Sequence, residues 1–66
     1  MYNKVKIGRA ELYLTQEDLA KKIGVSRQTV NSIEKNRYVP STVLALKISE
    51  LFNKTVNEIF ILDEKD

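Results

Sequence analysis

The chain has 66 residues, among them no cysteine, no histidine and one proline, and these counts exclude several classes of protein. A chain of this length forms a single small domain, which buries only about 60% of the surface that its unfolded form exposes. It has neither the thiols for a disulfide nor the Cys and His ligands of a structural zinc site, so we expect no metal and no cofactor. No apolar stretch reaches the roughly 18 residues of a membrane helix, and we expect a cytoplasmic protein without a membrane partner.

The composition also argues against an enzyme. The chain lacks a histidine base and a cysteine nucleophile, and its only glycines, Gly8 and Gly24, do not form a glycine-rich phosphate loop. So small a domain also leaves little room for a pocket that excludes water. We therefore expect a binding protein and not a catalyst.

Charge is unevenly distributed along the chain, although the net charge is only +2. Residues 1–47 carry nine Lys and Arg against four acidic residues, whereas residues 48–66 carry two against five. The first part would attract a polyanion and the last part would repel it. A small charged domain also acquires such an asymmetry by chance, so charge alone does not decide between a nucleic-acid partner and a solvated surface.

Turn and capping signals divide the chain into short helices, and no long alternation of apolar and polar residues predicts a major strand. Apolar residues predict a first helix over about residues 4–12, although Gly8 weakens this prediction because glycine is a poor helix former. Thr15 is a suitable N-cap for a second helix, with Asp18 as its partner in a capping box, and Gly24 ends that helix.

The second and third helices together are typical of a helix-turn-helix over about residues 16–35. Ser26 caps the third helix, over residues 27–35, and the turn from Gly24 to Ser26 is so short that the two helices must cross steeply. The outer face of the third helix is unusual, because it bears amide and hydroxyl groups where solubility alone would favour Lys and Glu.

Two more helices follow a loop that Pro40 keeps out of the helical conformation. Ser41 caps a helix over residues 42–52 with an apolar stripe, and Thr55 and Glu58 form a capping box for a short fifth helix. The predicted fold class is therefore all-α, a five-helix bundle with a central helix-turn-helix, in one domain.

The third helix has the chemistry of a helix that reads DNA. A single α-helix fits the major groove, where side chains near its N-terminus contact base edges. Arg27 can form paired hydrogen bonds with guanine and Gln28 with adenine, and Asn31 and Ser32 lie one turn further along. Each of these residues, taken alone, is as readily a solvated surface residue, but together they predict a base-reading face.

The run LTQEDLAKKIGVSRQTVNSIEKNRYVPS, from Leu14 to Ser41, resembles the phage-repressor-type helix-turn-helix family (Cro/C1 or xenobiotic-response-element type). The chain is similar to the small stand-alone members of that family, and the similarity continues through LALKI at residues 44–48 and NEIF at residues 57–60. The resemblance implies a sequence-specific regulator, usually a repressor, that binds a palindromic operator in double-stranded DNA as a homodimer. It also implies a short two-stranded β-ribbon from the two chain ends.

The resemblance and the residue chemistry assign roles to individual positions. The base contacts fall on Arg27, Gln28, Asn31 and Ser32. The phosphate contacts fall on the start of the second helix, on the third helix and on the loop that follows it: Thr15, Gln16, Thr29, Lys35, Asn36, Arg37 and Tyr38. The resemblance also implies a structural ion pair between Arg9 and Glu34.

The C-terminal part of the chain, residues 53–66, is expected to form the dimer. Phe60, Ile61 and Leu62 are three consecutive apolar residues, and a small monomer that exposes them would tend to associate. We therefore place the dimer interface there, although these residues would also suit the edge of the core.

The chain departs from the family pattern at three positions. Tyr13 stands before Leu14, where many members have glycine, and Gly8 stands where a larger residue is common. Asn36 replaces a frequent loop glycine, but Asn adopts the left-handed conformation more readily than most residues do.

A second interpretation belongs to another class of protein. The same bundle would serve as an antitoxin or adaptor that holds a protein partner and binds DNA only secondarily, and the acidic, apolar tail suits such a co-regulator. A protein that is monomeric and blind to DNA at low salt, yet co-purifies with a partner, would favour this interpretation.

Overall fold

The computed structural model describes all 66 residues, and its elements follow the order β1, α1 to α5, β2. The two strands and five helices are Tyr2–Asn3 (β1), Val5–Glu11 (α1), Gln16–Ile23 (α2), Arg27–Glu34 (α3), Thr42–Phe52 (α4), Val56–Ile59 (α5) and Phe60–Ile61 (β2). The predicted five-helix bundle and the predicted ribbon are both confirmed. None of the helices combines the length and the apolar character needed to cross a bilayer.

Four helices begin at the predicted capping residues. Each cap hydroxyl accepts a hydrogen bond, 3.0–3.2 Å long, from the backbone N–H three residues later: Thr15, Ser26, Ser41 and Thr55. Asp18 and Glu58 return hydrogen bonds to the backbone N–H of Thr15 and Thr55, which completes both predicted capping boxes. These starts are local chemistry, since each cap satisfies N–H groups that have no partner within the helix.

Four helices are followed within two residues by one with left-handed backbone, with φ between 54° and 76°: Tyr13, Gly24, Asn36 and Asn53. After α1 the N–H groups of Tyr13 and Leu14 return to the carbonyls of Ala10 and Arg9, at 3.0 Å each. This pattern is a Schellman motif, in which a left-handed residue lets the chain satisfy the last carbonyls of the helix. Tyr13 takes the place of the missing glycine, in a conformation that is unfavourable for most L-residues.

The core is contributed by all five helices. Its buried side chains are Val5, Leu19, Ala20, Ile23, Val30, Ile33, Leu44, Ile48, Phe52 and Ile59. The apolar residues that predicted α1 are mostly not part of it, because Ile7 and Leu12 are exposed and only Val5 is buried. The buried face of α1 consists of Val5 and Gly8, and Gly8 lies directly against the ring of Phe52.

The antiparallel ribbon joins the two ends of the chain. Tyr2 pairs with Ile61 and Asn3 with Phe60, and the N–H of Lys4 donates to the carbonyl of Ile59 at 2.8 Å. Within the bundle α2 packs against both α3 and α4, and α3 also packs against α1. The remaining side of α3 faces away from the bundle.

Candidate nucleic-acid interface

The outer side of α3 is open to solvent. Val30 and Ile33 point inward and are buried, whereas Arg27 and Gln28 at the start of the helix are exposed. Thr29, Asn31 and Ser32 are partly exposed. The amide and hydroxyl groups that the sequence analysis singled out are therefore on the surface, with the apolar side of the same helix anchored in the core.

A polar cleft of about 390 Å³ lies between α3 and the loop that follows it. It is lined by Ser26, Gln28, Thr29, Ser32, Arg37 and Tyr38. The cleft thus brings two of the expected base-reading residues together with three of the expected phosphate-contacting ones. Arg27 does not line it and lies at the exposed start of the helix.

A network of four polar side chains joins α1 and the start of α2 to the C-terminal half of α3. Arg9 donates from Nε to Glu34 Oε2 at 2.8 Å and from Nη1 to the carbonyl of Leu14, also at 2.8 Å. Gln16 Nε2 donates to Glu34 Oε1 at 3.1 Å and to Asn31 Oδ1 at 3.2 Å. The ion pair expected between Arg9 and Glu34 is therefore present, and it extends to two residues that were expected to contact DNA.

The network places a carboxylate close to a surface that would face phosphates. The side chain of Glu34 is only 5% exposed and that of Arg9 15% exposed, so Arg9 neutralises a charge that water cannot screen. Both amide hydrogens of Gln16 are used inside the protein. A phosphate would therefore meet Gln16 through its backbone N–H and not through its side chain.

The N-terminus of α2 has the free donors for such a contact. The capping box occupies the N–H groups of Thr15 and Asp18, which leaves those of Gln16 and Glu17 without a partner in the helix. Backbone N–H groups at a helix start are a common phosphate-binding arrangement. The backbone N–H of Thr15 donates to the carboxylate of Asp18 at 2.9 Å. This hydrogen bond is the main reason that the pKa of Asp18 lies below its ordinary value, and the hydroxyl of Thr15 lowers that pKa further.

The loop after α3 carries the remaining expected phosphate contacts. Lys35, Asn36, Arg37 and Tyr38 are all exposed. Two hydrogen bonds close the end of α3, from the N–H of Asn36 to the carbonyl of Ile33 at 3.0 Å and from that of Arg37 to Ser32 at 2.8 Å. The left-handed conformation of Asn36, with φ of 59°, turns the chain so that Arg37 and Tyr38 come back beside the start of the helix.

Sequence reasoning missed two residues of this region. The sequence predicts Ser26 only as a helix cap, yet it also lines the cleft. Asn3 received no role, yet its side chain contacts the end of α3 and Asn36. No local pattern could have revealed Asn3, because its partners lie far along the chain.

The residues expected to form the dimer differ in their exposure to solvent. Phe60 and Ile61 form β2 and are half-buried, whereas Leu62 is 76% exposed. Phe60 also lines a mainly apolar cleft of about 210 Å³ together with Val39, Leu46 and Val56. The apolar surface near the C-terminus therefore includes residues from the loop before α4 and from α4 itself.

Comparisons with known proteins agree with this geometry. A family model described as helix-turn-helix matches residues 5–59. An uncharacterized HTH-type transcriptional regulator of Methanocaldococcus jannaschii is 53% identical over 66 residues, and one of Bacillus subtilis is 48% identical over 66 residues, each alignment covering 100% of both chains. The crystal structure of a candidate DNA-binding protein from Bacteroides fragilis matches with a TM-score of 0.78 at 29% identity, over 88% of this chain and 94% of that one.

Proposed function

This chain belongs to the helix-turn-helix family, and on that premise we propose that it is a sequence-specific transcriptional regulator that binds double-stranded DNA. The observation that carries the proposal is the outer side of α3, which is polar and exposed while the same helix is anchored by Val30 and Ile33. Its relatives from M. jannaschii and B. subtilis are described as HTH-type transcriptional regulators, which supports the proposal. The family assignment also agrees with the expectation that the chain is not an enzyme.

In the proposed complex α3 lies in the major groove. Arg27 and Gln28 read base edges from the start of the helix, and Asn31 and Ser32 contact neighbouring positions. The exposure of Arg27 and Gln28 supports this arrangement. Asn31 contributes with its side chain partly fixed, because its Oδ1 accepts a hydrogen bond from Gln16.

Phosphate contacts on both sides of α3 hold the helix in register. On one side are the backbone N–H groups of Gln16 and Glu17, beside the cap residue Thr15. On the other side are residues of the polar cleft and of the loop: Thr29, Lys35, Asn36, Arg37 and Tyr38. Contacts of this kind position a protein on DNA without reading its sequence.

We further propose a homodimer on a palindromic operator, acting as a repressor. A two-fold dimer presents two copies of α3 to half-sites about 34 Å apart. Repression requires only that the bound dimer occupy the operator, and the resemblance to phage repressors favours that outcome.

The proposed dimer surface contains the C-terminal part, residues 53–66, with Phe60, Ile61 and Leu62. The apolar cleft that Phe60 lines supports extending this surface to Val39 and Leu46, which are 69% and 50% exposed. Paired copies would remove these side chains from water, which favours association.

Selection of bound sites from random duplexes tests the function. We expect a two-fold symmetric consensus with half-site centres about 10 base pairs apart. The dissociation constant for that consensus should rise steeply with salt, as phosphate contacts require. Selection without any consensus, from a protein that is monomeric and co-purifies with another protein, would support the adaptor interpretation instead.

Substitution of Leu46 tests the dimer surface. Leu46→Lys should shift the protein towards monomer in analytical ultracentrifugation and weaken binding to the full operator more than to a half-site. Leu12→Lys is the matched control, because Leu12 is also exposed, at 44%, and lines no cleft with residues of the proposed surface. Equal association of the two variants would contradict the proposed surface.

A further inference from the structure

We propose that Asn3 is a positioning residue for DNA binding: without touching DNA, it fixes the conformation of the loop that carries Arg37 and Tyr38. The inference rests on the proposed function, because it concerns how that function's phosphate-contacting loop is held. Asn3 lies on β1 and is half-buried. It is therefore outside the helix-turn-helix formed by α2 and α3.

The side chain of Asn3 makes three hydrogen bonds that join separate parts of the fold. Its Nδ2 donates to the carbonyl of Ile33 at 2.8 Å and to Asn36 Oδ1 at 3.0 Å. Its Oδ1 accepts from the N–H of Val5 at 3.1 Å, at the start of α1. Both amide hydrogens are therefore directed at the end of α3, while the oxygen serves the first helix.

These contacts fall at the residue where the loop changes direction. The carbonyl of Ile33 also accepts from the N–H of Asn36, so Asn3 binds at the closure of α3. Asn36, which has a left-handed backbone, is thereby held by two hydrogen bonds, one from its N–H to Ile33 and one from Asn3 to its side-chain oxygen. Arg37 follows it immediately, and Arg37 and Tyr38 line the polar cleft.

A restrained loop binds better than a mobile one, because less conformational entropy is lost when phosphate orders it. Loss of the two donated hydrogen bonds should therefore weaken binding to every duplex alike. Base preference should not change, because Asn3 contacts neither Gln28 nor Ser32.

Asn3→Asp separates the two functions of the side chain. Aspartate keeps an oxygen for the N–H of Val5 but has no hydrogen to donate to Ile33 or Asn36. Lys6→Gln is the matched control, because Lys6 is exposed, has no assigned role in binding, and its replacement lowers the net charge by the same one unit. Asn3→Ala serves as a variant without added charge.

Two measurements on the full chain test the proposal. In the DNA-free protein, NMR should show the amide signals of Asn36, Arg37 and Tyr38 shifted or broadened in Asn3→Asp and Asn3→Ala, with those of α2 and the first turn of α3 unchanged. Fluorescence anisotropy with the selected operator and with a scrambled duplex should show about five- to tenfold weaker binding to both. Lys6→Gln should match the wild type in both measurements.

The outcomes are distinguishable. Loop signals that stay at their wild-type positions, or DNA affinity equal to that of Lys6→Gln, would overturn the role of Asn3. A wild-type protein that binds no duplex would instead remove the proposed function, and the NMR comparison would still decide whether Asn3 holds the loop.

Discussion

The ring of Phe52 occupies the place where a Cβ atom on Gly8 would stand. An ideal Cβ at Gly8 would lie 2.5 Å from two ring carbons of Phe52, closer than non-bonded carbon atoms approach. Gly8 is thus not a weak point of α1 but the reason that α1 can lie against the end of α4.

We expect Gly8→Ala to destabilise the domain, although alanine is the better helix former. The gain in helix propensity is about 1 kcal/mol, whereas overpacking a core costs typically ~1–3 kcal/mol. The urea midpoint should therefore fall, by an amount equivalent to up to about 2 kcal/mol. In a Phe52→Leu background the same change should become neutral or stabilising, and a wild-type domain that gained stability from Gly8→Ala would contradict the explanation.

Removal of Arg9 should have a large effect, because the side chain of its partner is almost inaccessible to water. Glu34 is only 5% exposed, and leaving a buried charge unpaired costs about 3–5 kcal/mol. We expect Arg9→Met to reduce the free energy of unfolding by this amount, and Glu34→Gln to recover part of it in the double variant. Chemical denaturation of the wild type, the two single variants and the double variant gives the coupling energy. A loss of unfolding free energy below about 1 kcal/mol in Arg9→Met would place the pair among ordinary surface ion pairs.

Tyr13 offers the opposite case, a site at which glycine should stabilise the protein. Its φ is 57° and its side chain is 94% exposed, so substitution removes strain without removing packing. The left-handed conformation costs an L-residue about 1–2 kcal/mol, against about 0.4–1 kcal/mol for the extra freedom of glycine in the unfolded chain. Tyr13→Gly should raise the thermal midpoint, Tyr13→Phe should leave it unchanged, and Tyr13→Val should lower it.

The capping box of α2 predicts a dependence of stability on pH. Hydrogen bonds from Thr15, the backbone one foremost, hold the pKa of Asp18 below its ordinary value of 3.8. The folded state therefore binds this proton less readily than the unfolded chain does. The stabilisation is complete above the ordinary value and is lost as the pH falls through the lower, folded-state pKa.

Asp18→Asn isolates this contribution, since the other carboxylates are common to both proteins. We expect the wild type to exceed the variant in stability at neutral pH and the difference to shrink in acid. Urea unfolding at about pH 7 and about pH 2.5 measures it. A difference that stays constant between these two conditions would show that the Asp18 charge does not stabilise the fold.

The two proposed kinds of DNA contact should respond differently to substitution. Gln28→Ala should cost ~1–3 kcal/mol at the preferred operator and relax the preference at one base pair. Arg37→Ala should weaken all duplexes alike and reduce the salt slope by about one. Site selection and salt titration with both variants measure these effects, and unchanged operator preference in Gln28→Ala would show that α3 is not the reading helix.

The helix boundaries were predictable because their causes are local. The caps at Thr15 and Ser26 act within three residues, and the turn at Gly24 depends only on its own backbone freedom. The placement of Gln28 on the surface follows equally from the buried Val30 and Ile33, since the helical repeat fixes which residues share a side.

The features that the sequence did not reveal all join distant segments. The buried face of α1 depends on Phe52, which lies at the far end of α4, and apolar Ile7 was a misleading signal. The side-chain amide of Gln16 donates to Asn31 and Glu34, so the proposed phosphate contact is assigned to its backbone N–H. The contact between Asn3 and Asn36 exists only because the ribbon brings β1 beside the end of α3.

The ribbon between Tyr2–Asn3 and Phe60–Ile61 closes a loop that comprises nearly the entire polypeptide. Such distant pairings form late in folding and, with strands this short, are the first to fray. Because Asn3 belongs to the ribbon, each fraying event also releases the side chain of Asn36. We therefore expect transient motion at the chain ends to reach the loop that is proposed to contact phosphate, and the rate of DNA capture to depend on how long the two strands remain paired.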